Sequence, residues 1–441
     1  MQPFLIFSTL FLLAGIACIA NDKWLRLPNA IALLTVSLLV SAVVYTLDLF
    51  GLPTLVFSKQ LIQSIDLKTL LVESLLSFIL FAMAIRLDSR ILRNHLSPII
   101  YLATVGVIVS TLVVGFSLWG LGSMFDVHVP IMAALLFGAI ISPTDPVSII
   151  SIVGRNDRSP WQNIIVGESL VNDATALLLF TLFLQLATTT TNEQHISLGG
   201  AITFFIYEVG IAVLIGIVFG SVGIAMLRAG ARVPEGQLLM MIGIAAGSYS
   251  LTEILGASAP LCTITAGLII GHFGSRLGIS EGSRAADFWL FIDHAITSVL
   301  FLLIGLEILT ISWSWTSIVL GLIAFVAVVF ARFIAVMSGH LPYRLTHTVR
   351  QEFVLPMTWG AMRGGVSVAL ALGLPDAPWR NNIVVMTYVV VIASTLGQGL
   401  TIKPLVGLTE SWWERFRAKH GPGRPGGLFG MFKRRIKQKD P

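Results

Sequence analysis

Two carboxylates, Asp145 and Asp173, lie inside long apolar stretches of the sequence that hold almost no other charge. A charged side chain is costly at membrane depth, so such a residue usually marks a path for ions or protons. Pro143 and Pro146 flank the first acid and predict a break in its helix, which would free backbone carbonyls there. Broken helices beside buried acids are typical of cation sites in secondary transporters. The pattern predicts an ion transporter.

The segment around Asp173 predicts a helix with two polar faces. Ser169 and Asp173 are four residues apart and therefore share one face. Glu168 and Asn172 form a second pair with the same spacing, rotated by about 100° from the first. One face offers a hydroxyl and a carboxylate to an ion, and the other offers a carboxylate and an amide.

The predicted break adds further oxygen atoms, from the Thr144 hydroxyl, the Asp145 carboxylate and the freed carbonyls. These are hard ligands, which suit a hard cation rather than a thiophilic metal. We therefore expect an alkali ion to bind between the break and the helix that carries Asp173. A buried carboxylate favours a neutral state, which either a proton or a cation provides. Competition between the two for one acid is sufficient for exchange.

Composition places the elements that hold these residues in a membrane. Of the 441 residues, 55% are hydrophobic and only 12% are charged, whereas a soluble domain has about 25% charged residues. Cys18 and Cys262 lie in apolar segments and predict neither a disulfide framework nor a metal site. No Lys or Arg precedes the apolar residues 3–20, so we interpret them as a retained first transmembrane helix rather than a signal peptide.

Thirteen apolar segments approach the length of about 20 residues that spans a membrane. They cover approximately residues 3–20, 29–48, 69–86, 97–122, 129–153, 161–188, 199–228, 236–256, 259–274, 285–310, 314–338, 350–374 and 380–405. Thirteen Lys and Arg residues fall in the odd-numbered loops and only three in the even-numbered loops, which supports the count. The positive-inside rule then places the odd loops and the C-terminus in the cytoplasm and the N-terminus outside.

The predicted fold class is an all-α polytopic membrane protein with 13 transmembrane helices. Helix 1 runs inward and helix 8 outward, so the six helices on either side of helix 7 form inverted repeats. Helix 12, the topological counterpart of the broken helix 5, carries glycines from Gly360 to Gly365 that weaken it at the same relative depth. Inverted repeats with crossed discontinuous helices, here 5 and 12, are typical of transporters.

Four motifs carry a resemblance to a known family. The segment Gly167-Glu168-Ser169-Leu170-Val171-Asn172-Asp173-Ala174 resembles the signature of the monovalent cation/proton antiporters, in the branch of NhaP-type sodium/proton antiporters and animal sodium/proton exchangers. The other motifs occur in the same order as in that family and are Thr144-Asp145-Pro146, Gly305-Leu306-Glu307 and Trp359-Gly360-Ala361-Met362-Arg363-Gly364. The resemblance extends over nearly all thirteen predicted spans.

This resemblance implies exchange of a monovalent cation, Na⁺ and also Li⁺, for H⁺, without a cofactor and without enzymatic chemistry. It implies that Asp173 carries the ion and the proton, and that Asp145, Thr144 and Ser169 complete the Na⁺ site. Asn172 stands where electrogenic relatives have a second aspartate, so we expect electroneutral exchange of one cation for one proton. Some relatives have an acid near the end of helix 3, where this chain has Phe81-Ala82-Met83-Ala84; this departure leaves the cation preference open.

The resemblance also implies a homodimer and an elevator-like movement. The transmembrane antiporter domain would comprise residues 1–408. Within it, core helices at about 97–188 and 314–405 would move against dimerisation helices at about 1–86 and 199–310. Residues 409–441 form a basic tail, which we expect to be disordered and to meet anionic lipid rather than nucleic acid. We expect the protein in the cell (inner) membrane.

Two arginines, Arg332 and Arg363, lie inside predicted spans and require partners. Glu168 faces away from Ser169 and Asp173, so we predict a structural Glu168–Arg332 ion pair, with Arg363 as the alternative partner. Glu208 and Asp293, among other acids, lie near predicted helix ends, where we expect them to reach the interface.

Three other functions are compatible with parts of this pattern. Potassium/proton exchange would use the same fold, because oxygen ligands alone do not separate the two cations. An intramembrane hydrolase could use Ser169 as its nucleophile, but the sequence suggests no histidine beside it as a base. A channel would need a continuous pore. Inverted repeats and an acid that can bind protons fit alternating access better than such a pore.

Overall fold

The computed structural model of this chain describes residues 3–63, 75–87, 89–125, 129–154, 159–188, 198–230, 233–274, 283–343 and 353–420. Within these ranges the regular structure is helical and contains no strand. The predicted all-α class is therefore confirmed for this part of the chain. Residues 421–441 of the basic tail lie outside it, as do several cations of the predicted basic loops, namely Arg155, Arg158 and Arg276.

Eighteen α-helices follow one another along the described ranges. They are α1 (Pro3–Ala20), α2 (Asn29–Leu49), α3 (Thr54–Gln63), α4 (Leu76–Arg86), α5 (Ser89–Tyr101), α6 (Val107–Gly122), α7 (Ile131–Ile140), α8 (Pro146–Val153), α9 (Pro160–Thr188), α10 (Leu198–Ala229), α11 (Pro234–Ile254), α12 (Ala259–His272), α13 (Arg284–Glu307), α14 (Trp315–Tyr343), α15 (Val354–Trp359), α16 (Gly365–Leu372), α17 (Arg380–Ile392) and α18 (Gly399–His420). Three π-helical turns lie between some of them, at Asn21–Leu25, Leu102–Gly106 and Ala393–Gln398.

Each of the thirteen predicted spans overlaps at least one of these helices. Among the described residues, seven helical stretches are by themselves long and apolar enough to cross a membrane, namely Asn29–Leu49, Asn94–Phe125, Pro160–Thr188, Phe205–Ala229, Arg284–Glu307, Trp315–Gly339 and Arg380–Thr409. Large apolar side chains on outer faces, such as Leu214, Val326 and Phe330, are exposed, as a surface facing lipid requires. The total of thirteen crossings and the inverted repeat stay predictions.

Helices 5 and 12 of the predicted set are broken where their sequences indicate. The first break separates α7, which ends at Ile140, from α8, which begins at Pro146. A residue before proline disfavours helical angles, and proline itself suits the first position of a helix, so Ser142 and Asp145 stay non-helical while Pro146 starts α8. The second break separates α15 from α16 and contains Gly360 and Gly364, which favour helix less than other residues do.

Helix α9 is the central element around which the breaks are arranged. It packs against α7, α8 and α15, and on its other sides against α4, α5 and α12. One large hydrophobic cluster joins α1, α2, α6, α7, α9, α13, α14, α16 and α17. A second cluster joins α4, α10, α11, α12 and α13 around Phe81 and Trp289. Helix α13 contributes to both clusters and therefore lies between them.

Three expectations differ from the structure. The last helix continues to His420, so residues 409–420 are helical although we expect a disordered tail from residue 409; this stretch has aromatic residues and no glycine or proline, which begin only at Gly421. Asp293 is buried, with 3% of its surface exposed, because it pairs with Arg86. Glu208 is also buried and lies about three turns inside α10, farther from the helix end than we expect.

Candidate ion-binding site

The two broken helices meet at their breaks. The backbone N–H of Asp145, in the first break, donates a hydrogen bond of 2.8 Å to the carbonyl oxygen of Met362, in the second. Gly364 lies so close to Asp145 that a Cβ atom on this glycine would be 2.8 Å from the Cβ atom of Asp145. The crossing therefore depends on Gly364, which lets the backbone of the second break lie directly against Asp145.

Gly364→Ala is expected to push the two breaks apart and to lower both stability and transport. The added methyl group would overlap the Asp145 side chain, and overpacking of this kind costs about 1–3 kcal/mol. Thermal unfolding of the purified protein and initial exchange rates in vesicles measure the two effects. Gly407→Ala is the matched control, because a Cβ atom there would meet no atom within 4 Å. Wild-type behaviour of both variants would contradict the close crossing.

Two side chains of α9 hold the first break through Thr144. The Ser169 hydroxyl donates to the carbonyl oxygen of Thr144. The Asn172 amide nitrogen donates to the Thr144 hydroxyl oxygen over 2.7 Å. All three residues are buried. Asn172 thus binds Thr144 together with Ser169, because residues three apart also lie side by side on a helix. This differs from the separate face that we predict for Asn172 and Glu168.

Asp145 acts as the N-terminal cap of α8. Its Oδ1 atom accepts a hydrogen bond of 3.3 Å from the backbone N–H of Ser148, and its Oδ2 atom accepts one from the Ser148 hydroxyl. A carboxylate at this position satisfies a free helix N–H group and meets the positive end of the helix dipole. The negative charge of Asp145 is therefore fixed at the break by the local sequence Asp-Pro-Val-Ser.

Asp173 differs from Asp145 in having an unused oxygen. The residue is 9% exposed, and among the described residues no group donates a hydrogen bond to its buried Oδ1 atom. The amide oxygen of Asn172 is also buried and without a donor there. The carboxylates of Asp173 and Asp145 are close enough for their charges to interact. A buried oxygen without a donor is costly, so this arrangement favours a bound proton or cation at Asp173.

Arg363 binds backbone carbonyls of the first break that we expect to be free to bind the ion. Its Nη1 atom donates to the carbonyl oxygens of Ser142 and Pro143, the latter over 3.1 Å. These carbonyls follow the C-terminal end of α7, where a positive charge is favourable. The expectation that these carbonyls remain free for the ion is therefore wrong, and the Arg363 guanidinium binds them instead.

The π-helical turn after α17 holds the second break in turn. The Ser394 hydroxyl accepts a hydrogen bond of 3.0 Å from the backbone N–H of Arg363 and donates to the side-chain oxygen of Gln398. The Gln398 amide nitrogen donates to the carbonyl oxygen of Trp359 over 3.1 Å. Backbone groups that the break would leave unsatisfied are thus bound by side chains of the next helix, as burial at membrane depth requires.

Glu168 pairs with Arg332 rather than with Arg363. The Nη1 and Nη2 atoms of Arg332 donate to the two carboxylate oxygens of Glu168, the second over 2.6 Å. The side chains are 1% and 5% exposed for the acid and the arginine. The Arg332 Nε atom also donates to the carbonyl oxygen of Met357, over 3.3 Å. The pair therefore joins α9, α14 and α15, and its structural role stays a prediction.

Comparison with known proteins identifies the family of this chain. A family model described as "Sodium/hydrogen exchanger, transmembrane" matches residues 8–407. The chain belongs to the sodium/hydrogen exchanger family. It is 35% identical over 397 residues to the Na⁺/H⁺ antiporter NhaP of Pseudomonas aeruginosa, which covers 88% of this chain and 92% of that protein. The corresponding values for the Na⁺/H⁺ antiporter NhaG of Bacillus atrophaeus are 32% over 414 residues, 91% and 74%.

A solved structure shares the fold of this member of the sodium/hydrogen exchanger family. The sodium proton antiporter MjNhaP1 from Methanocaldococcus jannaschii superposes with a TM-score of 0.68 at 18% identity, over 92% of this chain and 99% of that one. The predicted resemblance is therefore confirmed, and the hydrolase alternative is excluded because the family consists of transporters. The Ser169 hydroxyl, moreover, donates to a backbone carbonyl and not to a base.

The structure brings together all five residues that we predict for the ion site of this sodium/hydrogen exchanger family member. Hydrogen bonds link Thr144 with Ser169 and Asn172, Asp145 follows Thr144 in the chain, and Asp173 lies about one helical turn after Ser169 on α9. Sequence reasoning missed Ser148, whose position three residues after Asp145 is the signal for a helix cap. It also missed Ser394 and Gln398, for which no local signal identifies a role at a distant break.

Proposed function

We propose that this protein exchanges Na⁺, and also Li⁺, for H⁺ across the cell membrane, and that the two ions compete for Asp173. The names of the relatives support antiport of sodium and protons. The observation that carries the assignment to Asp173 is its buried Oδ1 atom, which has no donor among the described residues. Either a proton or a cation can bind that atom, and either one neutralises the negative charge of the carboxylate.

The surrounding residues would supply the remaining contacts of the cation. Thr144 and Ser169 present hydroxyl oxygens beside Asp173, and each hydroxyl retains acceptor capacity after the hydrogen bonds that it makes. Asp145 contributes negative charge while it stays bound to α8 through Ser148. Oxygen ligands of this kind suit a hard cation. Asn172 serves to position Thr144.

A single exchanging acid supports an electroneutral stoichiometry of one cation for one proton. Asn172, the neighbour of Asp173, is neutral and donates to Thr144. Asp145 accepts hydrogen bonds at both of its oxygens. One carboxylate thus alternates between its two partners, and the net charge that moves in a complete cycle is zero.

We further propose thirteen spans, with the N-terminus outside and the C-terminus in the cytoplasm. The core helices, at about 97–188 and 314–405, would carry the site past the dimerisation helices of a homodimer in an elevator-like step. The distribution of Lys and Arg supports the orientation. Hydrogen bonds join the first break to α9 and the second break to the turn at 393–398, which supports movement of the core as one body.

Everted membrane vesicles from an antiporter-deficient bacterial strain test this function. A respiration-driven proton gradient is recorded with a pH-sensitive dye, and NaCl, LiCl and KCl are added in turn. We expect dye dequenching with Na⁺ and Li⁺ that saturates with concentration and is absent from vector-only vesicles. Potassium as the preferred ion would support potassium/proton exchange instead. A rate that changes with an imposed membrane potential at constant ΔpH would contradict electroneutrality.

A further inference from the structure

A second buried carboxylate lies outside the candidate site. Asp293 on α13 forms an ion pair with Arg86, the last residue of α4, with 3.1 Å between Asp293 Oδ2 and Arg86 Nη1. The two partners differ in their exposure. The Arg86 side chain is 25% exposed, whereas that of Asp293 is 5% exposed. The arginine therefore covers the acid from the solvent side.

Only one of the two oxygens of Asp293 is used by this pair. The buried Oδ1 atom has no hydrogen-bond donor among the described residues. A structural ion pair at this depth would normally satisfy both oxygens, as Arg332 does for Glu168. The Arg86–Asp293 pair instead leaves half of a buried carboxylate available to another cation.

The position of Asp293 relates it to the candidate site. Leu300, seven residues later on α13, lies against Gly365 so closely that a Cβ atom on the glycine would overlap its side chain. Gly364, the preceding residue, contacts Asp145. Residues seven apart share a helix face, so Asp293 faces the same side about 10 Å nearer the start of α13. Its charge and that of Asp145 interact.

The start of α13 is the side of the molecule that we propose to be cytoplasmic. Arg86 and Arg284 both belong to loops that the positive-inside rule assigns to the cytoplasm. A cation that approaches the site from that side would therefore meet the Arg86–Asp293 pair about two helical turns before it reaches the level of Asp145.

We propose that Asp293 is a loading position for the transported cation on its cytoplasmic path, and that the Arg86 guanidinium competes with the cation for this carboxylate. The proposal rests on the proposed cation exchange. When a cation binds Asp293, Arg86 turns toward the solvent that it already contacts, and the cation then moves on to the pair Asp145 and Asp173. Arg86 would thus set the affinity for the cation on one face only.

Two substitutions separate this role from that of a structural ion pair, because they act in opposite directions. Arg86→Gln removes the competitor and should lower the KM for cytoplasmic Na⁺. Asp293→Asn removes the binding carboxylate and should raise that KM, while a positive charge remains at Arg86. We expect each change to be at least about tenfold, because the removed charge would lie at contact distance from the cation or its carboxylate, at an effective dielectric constant of about 20. A structural pair predicts the same direction of change for both.

The measurement compares the two faces of the membrane. Everted vesicles give the KM for Na⁺ at the cytoplasmic face. Right-side-out vesicles, in which an outward proton gradient drives the uptake of ²²Na⁺, give the KM at the external face. We expect opposite shifts of the KM for Na⁺ at the cytoplasmic face and an unchanged external KM in both variants. Glu208→Gln, which neutralises a buried acid of α10, is the control and should leave both values at the wild-type level.

Equal shifts on both faces, or shifts of the same sign in the two variants, would overturn the proposal. If neither Arg86→Gln nor Asp293→Asn yields folded protein by size-exclusion chromatography, the pair is a structural tie and the proposal is wrong. If only one variant folds, the sign of its cytoplasmic KM change decides. Absence of exchange in the wild type would instead overturn the proposed function, so the two failures are distinguishable.

Discussion

Asp173→Asn is expected to abolish exchange of Na⁺ for H⁺, with a rate at least about a hundredfold below that of the wild type, since one charge at contact distance contributes several kcal/mol at an effective dielectric constant of about 20. The amide has nearly the shape of the carboxylate but can neither take up a proton nor neutralise a cation. The buried Oδ1 atom, which has no donor among the described residues, is the atom that a bound ion would contact. Initial rates of dye dequenching in everted vesicles measure the effect over roughly pH 6.5 to 9, a range about 2.5 to 5 units above the pKa of an ordinary carboxylate.

The same substitution at an exposed aspartate is the control for this variant. Asp22→Asn lies at an exposed position after α1 and should retain wild-type rates. Size-exclusion chromatography and the thermal unfolding midpoint show whether Asp173→Asn is folded. We expect it to be at least as stable as the wild type, because the amide removes a buried charge. Folded Asp173→Asn that exchanges at the full rate would exclude Asp173 as the carrier.

Glu168→Gln and Arg332→Gln are each expected to lower the free energy of unfolding by about 3–5 kcal/mol, since removal of one partner leaves the other charge buried and uncompensated. Both side chains are at most 5% exposed. Purified yield and thermal unfolding in detergent, followed by tryptophan fluorescence, measure this loss. Exchange measured per folded molecule should fall much less than in Asp173→Asn, because Arg332 binds both carboxylate oxygens of Glu168 and leaves neither to carry an ion.

A charge-reversal swap provides the decisive comparison. Glu168→Arg combined with Arg332→Glu should recover part of the stability that either single reversal loses, because the ion pair can form again. Asp376→Asn is the control, since the exposed Asp376 lies 4.0 Å from Arg380 and exposed pairs contribute little. A double variant no more stable than the single ones would count against the pairing of Glu168 with Arg332.

The breaks and their acids could be predicted from sequence because their causes are local. Pro143 and Pro146 prevent a continuous helix wherever the segment packs, and Asp145 followed three residues later by Ser148 is a helix cap by sequence spacing alone. The spacing of Ser169, Asn172 and Asp173 likewise fixes their neighbourhood on α9. These features depend on fewer than eight consecutive residues and on helix geometry.

The partners of these groups could not be predicted because they come from distant parts of the chain. Nothing near Arg363 indicates that its guanidinium binds the carbonyls of Ser142 and Pro143, and its burial fits a carboxylate partner equally well. The same holds for Arg86, which as the last residue of α4 resembles an ordinary cation at a helix end. Helix periodicity gives the face of a residue but not the element that covers it.

The separation of Ser142 from Arg363 also bears on how the protein is made. These residues are 221 positions apart in the chain. A ribosome adds about 5–20 residues per second, so the carbonyls of the first break enter the membrane some 10–40 s before the guanidinium that covers them has been synthesised. During this interval the nascent chain must keep that segment beside water or the insertion machinery. Chains that stop before Arg363 would leave the Ser142 carbonyl without this partner. Cellular quality control could recognise unfinished copies by this unpaired polar group.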